Sequence, residues 1–417
     1  MRTNKTLILI FLFALFVRLG YVFFFTQIPL AGDGVEYDKS AWDITQGRGF
    51  PVKAADFLAE PLRAPGYLLT LAFFYKVFGH NLQVIRFFQA VISSLVCVFI
   101  YFLSMYLIKN RTLGFISSTA CAVYFPFVSY AGLLSREAIL PVFLTLSTLL
   151  LLKAFQSGLA RYYIFTGLAI GVSVLFDERM TYFPIFVIFI LLFLKKIQKK
   201  AILNSLIFFA SVIAIISPWT IRNYLVFKEF IPVTRGQTAC FWLSTHPSEP
   251  LEWRLEKEPL RSLASGLSKE ELFKKLSSES LKNLKGHPFI YAKLSAKRFF
   301  RLWLGSHSNS FYGLNESFSD VLREARFGIF AVKTAMFIVN LAIILFGAAG
   351  ILIARHFLKK QAILITLLPV IYLTILHTFS FSTPRYAVPM MPIVIFFASL
   401  AILKIFCNGL GLKSQEG

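Results

Sequence analysis

The chain has 417 residues, of which 57% are hydrophobic and 15% charged, and its formal net charge is +22. Soluble domains carry about 25% charged residues, so this composition excludes an ordinary soluble protein and favours an all-α polytopic membrane protein. The basic excess does not indicate nucleic-acid binding, because about 15 of the Lys and Arg residues lie in short segments between apolar stretches, where positive charge orients a membrane protein.

Ten apolar stretches have about the 20 residues that a helix needs to cross a bilayer. The predicted spans are 7–25, 82–107, 112–130, 137–154, 161–176, 180–196, 201–218, 331–354, 361–379 and 386–406. Threading them alternately places both termini and the short basic segments on the cytoplasmic side. The first stretch is not followed by a small-x-small cleavage site, so it is predicted to be a retained span.

The acidic residues follow the opposite pattern. In this threading, 20 of the 21 Asp and Glu residues lie on the extracytoplasmic side or at its boundary, and Glu416 alone lies inside. The protein is therefore predicted to lie in the plasma (inner) membrane of a prokaryote, with any carboxylate chemistry on its extracytoplasmic face.

The spans divide the chain into three predicted parts. Residues 1–218 form an N-terminal transmembrane module that includes a long first outer loop at 26–81. Residues 219–330 form an extracytoplasmic helical loop, and residues 331–417 form the C-terminal transmembrane helices. Surface helices are predicted in the first outer loop at Val35–Gln46 and Pro65–Phe78. A small helical subdomain is predicted over Ser268–Trp303, with Ser268 and Glu271 as a capping box.

Six arginines are predicted to share one depth, near the outer end of the spans: Arg18, Arg63, Arg86, Arg136, Arg179 and Arg385. Individual arginines often extend to lipid headgroups, so each one alone has an ordinary explanation. Six beside carboxylates indicate a pocket instead. Guanidinium groups bind phosphate through paired, charge-assisted hydrogen bonds, so the pocket suits a lipid whose phosphate lies at headgroup level.

Asp33 is the main candidate for a general base, because it follows the first span closely in the turn Ala-Gly-Asp-Gly. The alternative is a helix-capping Asp. Glu36 and Tyr37 follow it, and Arg136 with Glu137 opens the fourth span. Asp177 and Glu178 are at the tip of a tight hairpin between the fifth and sixth spans. The six histidines lack zinc-site spacing, and no Walker-type loop or nucleophile elbow is present.

Several short motifs resemble one known family. They are Asp33-Gly-Val-Glu-Tyr37 with Ala41, Gly47-Arg-Gly-Phe50, Arg63-Ala-Pro65-Gly-Tyr67, Arg86 with Gln89, Ser135-Arg-Glu137, Pro218-Trp-Thr-Ile-Arg222-Asn223-Tyr224, His287-Pro288 to Arg301-Leu-Trp303, and Pro384-Arg385-Tyr386. With these motifs in this order along its sequence, the chain resembles the GT-C glycosyltransferases that use lipid-linked sugars. It is most similar to glycosyltransferase family 39, the protein O-mannosyltransferase-like group, and to the aminoarabinose transferases of lipid A.

The resemblance implies a polyprenyl-phosphate sugar as donor and inversion at the anomeric carbon. It implies Asp33 as the base that deprotonates an acceptor hydroxyl, and a donor phosphate held by four residues: Arg63, Arg86, Arg385 and Tyr386. The pocket or acceptor residues would be Glu36, Tyr37, Arg136, Glu137, Asp177 and Glu178. No cofactor is assigned, a divalent metal stays open, and the acceptor can be a protein, a lipid or a glycan.

Many relatives carry two adjacent acids in the first outer loop, whereas Gly34 follows Asp33 here. Glu36 is the candidate for the second carboxylate, and an inactive relative that binds a sugar lipid without transferring it is one alternative. A transporter or flippase of a lipid-linked saccharide is another. Transporters place polar residues near the midplane, often with internal repeats, whereas the charges here gather at one face.

Overall fold

The chain is described by a computed structural model that covers residues 2–24, 30, 32–50, 63–247, 267, 269–311, 314 and 316–406. These residues form α-helices joined by turns and short 3₁₀ segments. In chain order the helices are α1 (Arg2–Phe24), α2 (Asp33–Thr45), α3 (Pro65–Phe78), α4 (Leu82–Leu107), α5 (Arg111–Val123), α6 (Phe125–Gly132), α7 (Leu140–Ser157), α8 (Ala160–Phe176), α9 (Phe183–Leu194), α10 (Lys199–Phe227), α11 (Gly236–Thr245), α12 (Lys269–Gly286), α13 (Pro288–Trp303), α14 (Phe318–Arg323), α15 (Phe327–Ala354), α16 (Lys360–Phe379) and α17 (Met391–Phe406).

A helix lies at each of the ten predicted spans. By length and composition, seven helical segments can cross a membrane, and an eighth is added if the bent pair α5 and α6 counts as one span. The remaining two are shorter, since α8 has 17 residues and α9 has 12. The prediction of an all-α, multi-pass membrane protein is confirmed.

Two predicted spans differ from the observed helices. The span at 112–130 is bent by 45° between α5 and α6, where Pro126 stands in the first turn of α6 and supplies no backbone N–H. The span predicted to end at 218 continues through Pro218 to Phe227. This extension is held by Trp219, whose Nε1 donates to the Val233 carbonyl at 2.9 Å, and by Asn223, whose Nδ2 donates to the same carbonyl at 3.1 Å.

The helices outside the spans follow the sequence pattern closely. α3 has the predicted bounds, and α2 begins two residues before the predicted Val35. The predicted Ser268–Trp303 region is divided into α12 and α13 at His287, where Pro288 begins the second helix. Ser268 lies outside the described residues, and so does the predicted capping box.

Two glycines of α15 lie directly against α17. A Cβ atom added to Gly350 would overlap the Phe397 carbonyl oxygen, and one added to Gly347 would lie 2.7 Å from Val394. Because α17 begins directly after the turn that carries Arg385, this contact helps to fix the position of that turn. The pairing depends on small residues, as is common between membrane helices.

We expect Gly350→Ala to lower the stability of the protein by about 1–3 kcal/mol, because overpacking forces the helices apart. Gly20→Ala is the matched control, since a Cβ at Gly20, inside α1, meets nothing within 4 Å and alanine has the higher helix propensity. Thermal unfolding in detergent measures both. Equal melting temperatures for Gly350→Ala and the wild type would contradict the close contact.

Candidate active site

The candidate site lies where four polypeptide segments meet at one end of the helix bundle. They are the start of α2, the 3₁₀ turn Arg136–Ala138 before α7, the turn Glu178–Met180 between α8 and α9, and the turn Pro384–Met390 before α17. A proline stands in the first turn of α7, of α9 and of the turn Pro384–Met390, and each proline marks where that segment begins. The charged side chains at this end of the bundle come from the start of α2 and from the turns between helices.

Asp33 is held by two arginines that come from distant parts of the chain. Its Oδ1 accepts a hydrogen bond from Arg63 Nη2 at 2.9 Å, and its Oδ2 lies 2.7 Å from Arg385 Nη2. Glu36 lies one helical turn later and accepts from the same Arg63 nitrogen at 2.6 Å. We call Asp33, Glu36, Arg63 and Arg385 the Asp33 cluster, in which two acids balance two guanidinium groups.

The surroundings keep Asp33 ionised in the free protein. Burial alone would raise its pKa, but the charges of Arg385 and Arg63 hold the pKa of Asp33 well below its ordinary value. Gly32, not Asp33, occupies the N-cap position of α2 and makes no side-chain cap. The Asp33 carboxylate is therefore used by the arginines, and it is a weak base while both of them bind it.

Tyr37 contacts the Asp33 cluster through Arg63. The Arg63 guanidinium lies 5.2 Å from the centre of the Tyr37 ring, in a cation–π contact. The ring in turn packs edge-on against Tyr67, whose hydroxyl donates to Gln89 Oε1. Burial raises the pKa of Tyr37 to about 12, so its phenol stays protonated at neutral pH. These contacts favour a role for Tyr37 in positioning Arg63 over a role in proton transfer.

The other predicted pocket residues form a second, fully buried ion cluster. Arg136 pairs with Glu178 and lies 3.5 Å from Asp177, while Arg179 pairs with Asp177 and lies 3.3 Å from Glu137. Both oxygens of Asp177 bind the Arg179 Nε, at 2.8 and 2.9 Å. We call these five residues the buried cluster. It ties the turn before α7 to the turn between α8 and α9, and this geometry favours a supporting role for Asp177 over acceptor binding.

Tyr386 connects the two clusters. Its ring lies 4.3 Å from the Arg179 guanidinium and 5.4 Å from that of Arg385. The His377 ring stacks on it at 4.5 Å. Arg385 is thus positioned through Tyr386 by the buried cluster, although no ion pair joins the two clusters among the described residues.

Asp177→Asn is expected to destabilise the protein by about 3–5 kcal/mol, because removing one partner leaves buried charge without compensation. Arg323→Gln is the control, since Arg323 pairs with Asp320 at 3.8 Å on the surface and such pairs contribute little. Thermal unfolding of the purified proteins measures both changes. A melting temperature for Asp177→Asn equal to that of the control would show that the buried cluster does not hold these turns together.

The remaining two arginines lie apart from both clusters. Arg86 is buried on α4, and its Nε donates to the Gly132 carbonyl at 3.0 Å. Arg18 is buried in α1, where its Nε donates to Ser93 Oγ at 3.1 Å and its Nη1 donates to the Ala14 carbonyl at 3.0 Å. Of the six arginines predicted to converge, Arg63 and Arg385 meet at Asp33, and Arg136 and Arg179 lie in the buried cluster. Arg86 bonds to the Gly132 carbonyl, and Arg18 bonds to Ser93 of α4 and to its own helix.

A cavity of about 460 Å³ opens beside Asp33, and this volume is typical of a small-molecule site. Its lining includes three charged groups from the predicted site, namely Asp33, Arg86 and Arg385. It also includes the polar turn after α13: Ser306, His307, Asn309 and Ser310. These four residues were not predicted from the sequence, although a run of small and polar residues after an amphipathic helix is a signal that could have identified them.

Gly34, where many relatives have a second acid, also lines this cavity. A Cβ at position 34 would lie 3.4 Å from the Leu134 carbonyl oxygen, which is an ordinary contact distance. Glu36 supplies a second carboxylate to Arg63 instead.

The described side chains around Asp33 do not fit a divalent metal. Within the described ranges, no three His, Cys, Asp or Glu side chains gather as a metal site. Both oxygens of Asp33 are bound by arginines. We therefore derive no step through a metal.

Comparison with known proteins agrees with this architecture. Residues 62–221 match the family model of dolichyl-phosphate-mannose-protein mannosyltransferases, a range that includes Arg63, Arg86 and the buried cluster. No curated protein sequence matches the chain. The oligosaccharyltransferase of Archaeoglobus fulgidus, solved with zinc and sulfate, matches with a TM-score of 0.56 and 14% identity, over 97% of this chain and 49% of that chain.

The archaeal oligosaccharyltransferase AglB from Archaeoglobus fulgidus, in complex with an inhibitory peptide and a dolichol-phosphate, matches with a TM-score of 0.56 and 16% identity, over 97% of this chain and 50% of that one. The chain has the GT-C fold. It spans about half the length of these archaeal chains. ArnT from Cupriavidus metallidurans bound to undecaprenyl phosphate matches less well, with a TM-score of 0.49 and 12% identity over 97% of this chain and 61% of that chain. The predicted resemblance to the GT-C superfamily is confirmed.

Proposed function

We propose that this protein is a membrane glycosyltransferase that moves a sugar from a polyprenyl-phosphate donor to an acceptor hydroxyl. The observation that carries the proposal is Asp33, held between Arg63 and Arg385 at the edge of a cavity of small-ligand size. The matched family model, which is named for a dolichyl-phosphate mannose donor, supports the donor class. The archaeal neighbour solved with a dolichol-phosphate agrees with it.

The reaction needs a base and a site for the leaving phosphate. Asp33 takes the proton of the acceptor hydroxyl, whose oxygen attacks the anomeric carbon from the face opposite the phosphate. The bond between that carbon and the phosphate oxygen breaks, and the phosphate leaves with the electron pair. Arg63 and Arg385 stabilise the charge that develops on it, which is an interaction realised most strongly in the transition state. The product has inverted anomeric configuration.

The resting geometry adds a condition to this scheme. While both guanidinium groups bind Asp33, its low pKa makes it a poor base. A donor phosphate competes for the same two arginines, and each contact that it takes from Asp33 raises the pKa of the carboxylate. Donor binding thus activates the base, and the protein holds Asp33 inactive until a donor phosphate has arrived.

The other site residues have supporting roles in this proposal. Arg86 contributes positive charge on the cavity wall and Tyr386 positions Arg385. Glu36 and Tyr37 hold Arg63, and the buried cluster of Arg136, Glu137, Asp177, Glu178 and Arg179 fixes the turns. The site would face the extracytoplasmic side of a prokaryotic plasma membrane, with both termini cytoplasmic, as the charge distribution favours.

The test is transfer by the purified protein in lipid bilayers, offered a panel of short-chain polyprenyl-phosphate sugars. Release of polyprenyl phosphate with one donor would establish the reaction class and identify the sugar. No release with any donor, together with movement of the sugar lipid across the bilayer, would replace the proposal with a transporter or flippase. Binding of one donor with neither release nor movement would indicate an inactive relative.

A further inference from the structure

His307 has a buried imidazole without a hydrogen-bond partner among the described residues. Its relative exposure is 6%, and neither ring nitrogen has a hydrogen-bond partner in the part of the chain that the structure describes. Buried polar groups are nearly always paired, so an exception calls for a cause. Both nitrogens are closed off from solvent in the unliganded protein, but His307 lines the cavity that also contains Asp33 and Arg385, so a ligand that enters with a small shift of the imidazole ring can supply the missing partners.

The backbone at His307 is held in an unusual conformation. Its φ is +54°, in the left-handed region that residues other than glycine rarely adopt. Ser310 fixes the turn by donating its backbone N–H and its hydroxyl to the His307 carbonyl, at 3.1 and 2.8 Å. Lys333, fully buried on α15, donates to Ser308 Oγ at 2.9 Å. Strain that is enforced from several sides in this way is concentrated at functional sites.

The imidazole is neutral, which decides what kind of group it can bind. Burial lowers the pKa of His307 to about 4. A neutral imidazole presents one N–H donor and one nitrogen acceptor, which together match the hydroxyl groups of a sugar. It adds no positive charge for a phosphate, and that charge is already supplied by Arg63 and Arg385.

We propose that His307 recognises the sugar of the donor, with its ring nitrogens hydrogen-bonded to sugar hydroxyl groups while the phosphate lies at Arg63 and Arg385. This assignment rests on the proposed function, and it gives the cavity a defined occupant. The sugar then lies in the cavity that Asp33, Arg385 and the polar turn at Ser306–Ser310 line. Its anomeric carbon is toward Asp33.

The test compares two lipids on the full-length protein in bilayers: polyprenyl phosphate without a sugar, and the polyprenyl-phosphate sugar that the wild type selects. We expect His307→Phe to weaken binding of the sugar-bearing lipid by about tenfold or more, because a site built to bond a hydroxyl loses that partner. Binding of the bare lipid should change by less than about twofold. His307→Asn should restore part of the loss, because Asn tolerates the left-handed backbone and forms hydrogen bonds.

Stability separates this role from a structural one. His307→Asn keeps a residue that tolerates the left-handed backbone and removes no side-chain hydrogen bond within the described part of the protein, so its melting temperature should be close to that of the wild type. His356→Phe, an exposed position between α15 and α16, is the control for the His-to-Phe change and should alter neither lipid affinity. A melting temperature for His307→Asn well below that of the wild type, or equal weakening for both lipids in His307→Phe, would overturn the assignment.

Two further outcomes separate a failure of the His307 assignment from a failure of the proposed function. Unchanged binding of both lipids with a raised KM for the acceptor would move His307 to the acceptor site and contradict the proposal. If the wild type bound neither lipid and released no polyprenyl phosphate, the proposed function itself would fail, and this assignment with it. That failure would be visible before any variant is made.

Discussion

Asp33→Asn is expected to reduce the turnover number by about 10²–10⁴-fold, the usual contribution of a positioned general base. The amide has nearly the same shape as the carboxylate but cannot accept the proton of the acceptor hydroxyl. Donor affinity should rise, because Arg63 and Arg385 lose the acid that neutralises them in the free protein. Single-turnover rates and donor dissociation constants, measured on the same preparation, separate the two effects.

Asp43→Asn is the matched control for this variant. Asp43 lies on the same helix, and its carboxylate pairs with Arg48 at 2.8 Å, away from the Asp33 cluster. It should leave both turnover and donor affinity unchanged. Near-normal turnover in Asp33→Asn would remove Asp33 as the base, and loss of donor binding together with turnover would indicate damage to the fold.

Arg385→Ala is expected to lower kcat/KM for the donor by about 10²–10³-fold, the typical effect of removing one preorganised group that stabilises developing charge. The acceptor dependence should change far less. Arg385→Lys keeps the charge but loses the paired geometry of the guanidinium, so it should recover part of the activity. Steady-state kinetics with donor and acceptor varied separately measure these effects.

Arg323→Ala is the control, because Arg323 pairs with Asp320 outside the cavity. An unchanged donor dependence in Arg385→Ala would contradict the phosphate role. The variant has a second consequence, since Arg385 is one of the charges that lower the pKa of Asp33. Its removal raises that pKa, so the acid limb of kcat/KM should move to higher pH even as the rate falls. The sign follows because a depressed carboxylate pKa rises toward its ordinary value when a positive neighbour is lost.

Asp33→Asn also tests whether donor binding activates the base. If the donor phosphate releases Asp33 from its arginines, Asp33→Asn binds the donor more tightly than the wild type does. If Asp33 and the donor instead use the arginines independently, the donor affinity of Asp33→Asn equals that of the wild type. The donor dissociation constant of Asp33→Asn therefore distinguishes competition from independence.

The amino-acid sequence determined the class of the molecule and the positions of its helices. Apolar length and charge placement are local properties, so the spans, α2 and α3 could be predicted from them. The proline that bends the helix between α5 and α6 is also local, but Pro218 shows the limit of such signals. The helix continues past it because Trp219 and Asn223 bond to Val233, a contact that no local pattern indicates.

The tertiary structure alone decided which charges meet. The sequence places Arg18, Arg63, Arg86 and Arg385 at the same predicted depth, yet of these four only Arg63 and Arg385 bind Asp33. Arg385 is some 350 residues away from Asp33 along the chain. Pairing at such separations depends on how the helices cross, as at the contact between Gly350 and Phe397. His307 could be recognised only in the fold, because an unpartnered nitrogen is defined by the atoms around it, and those come from the packing of distant segments.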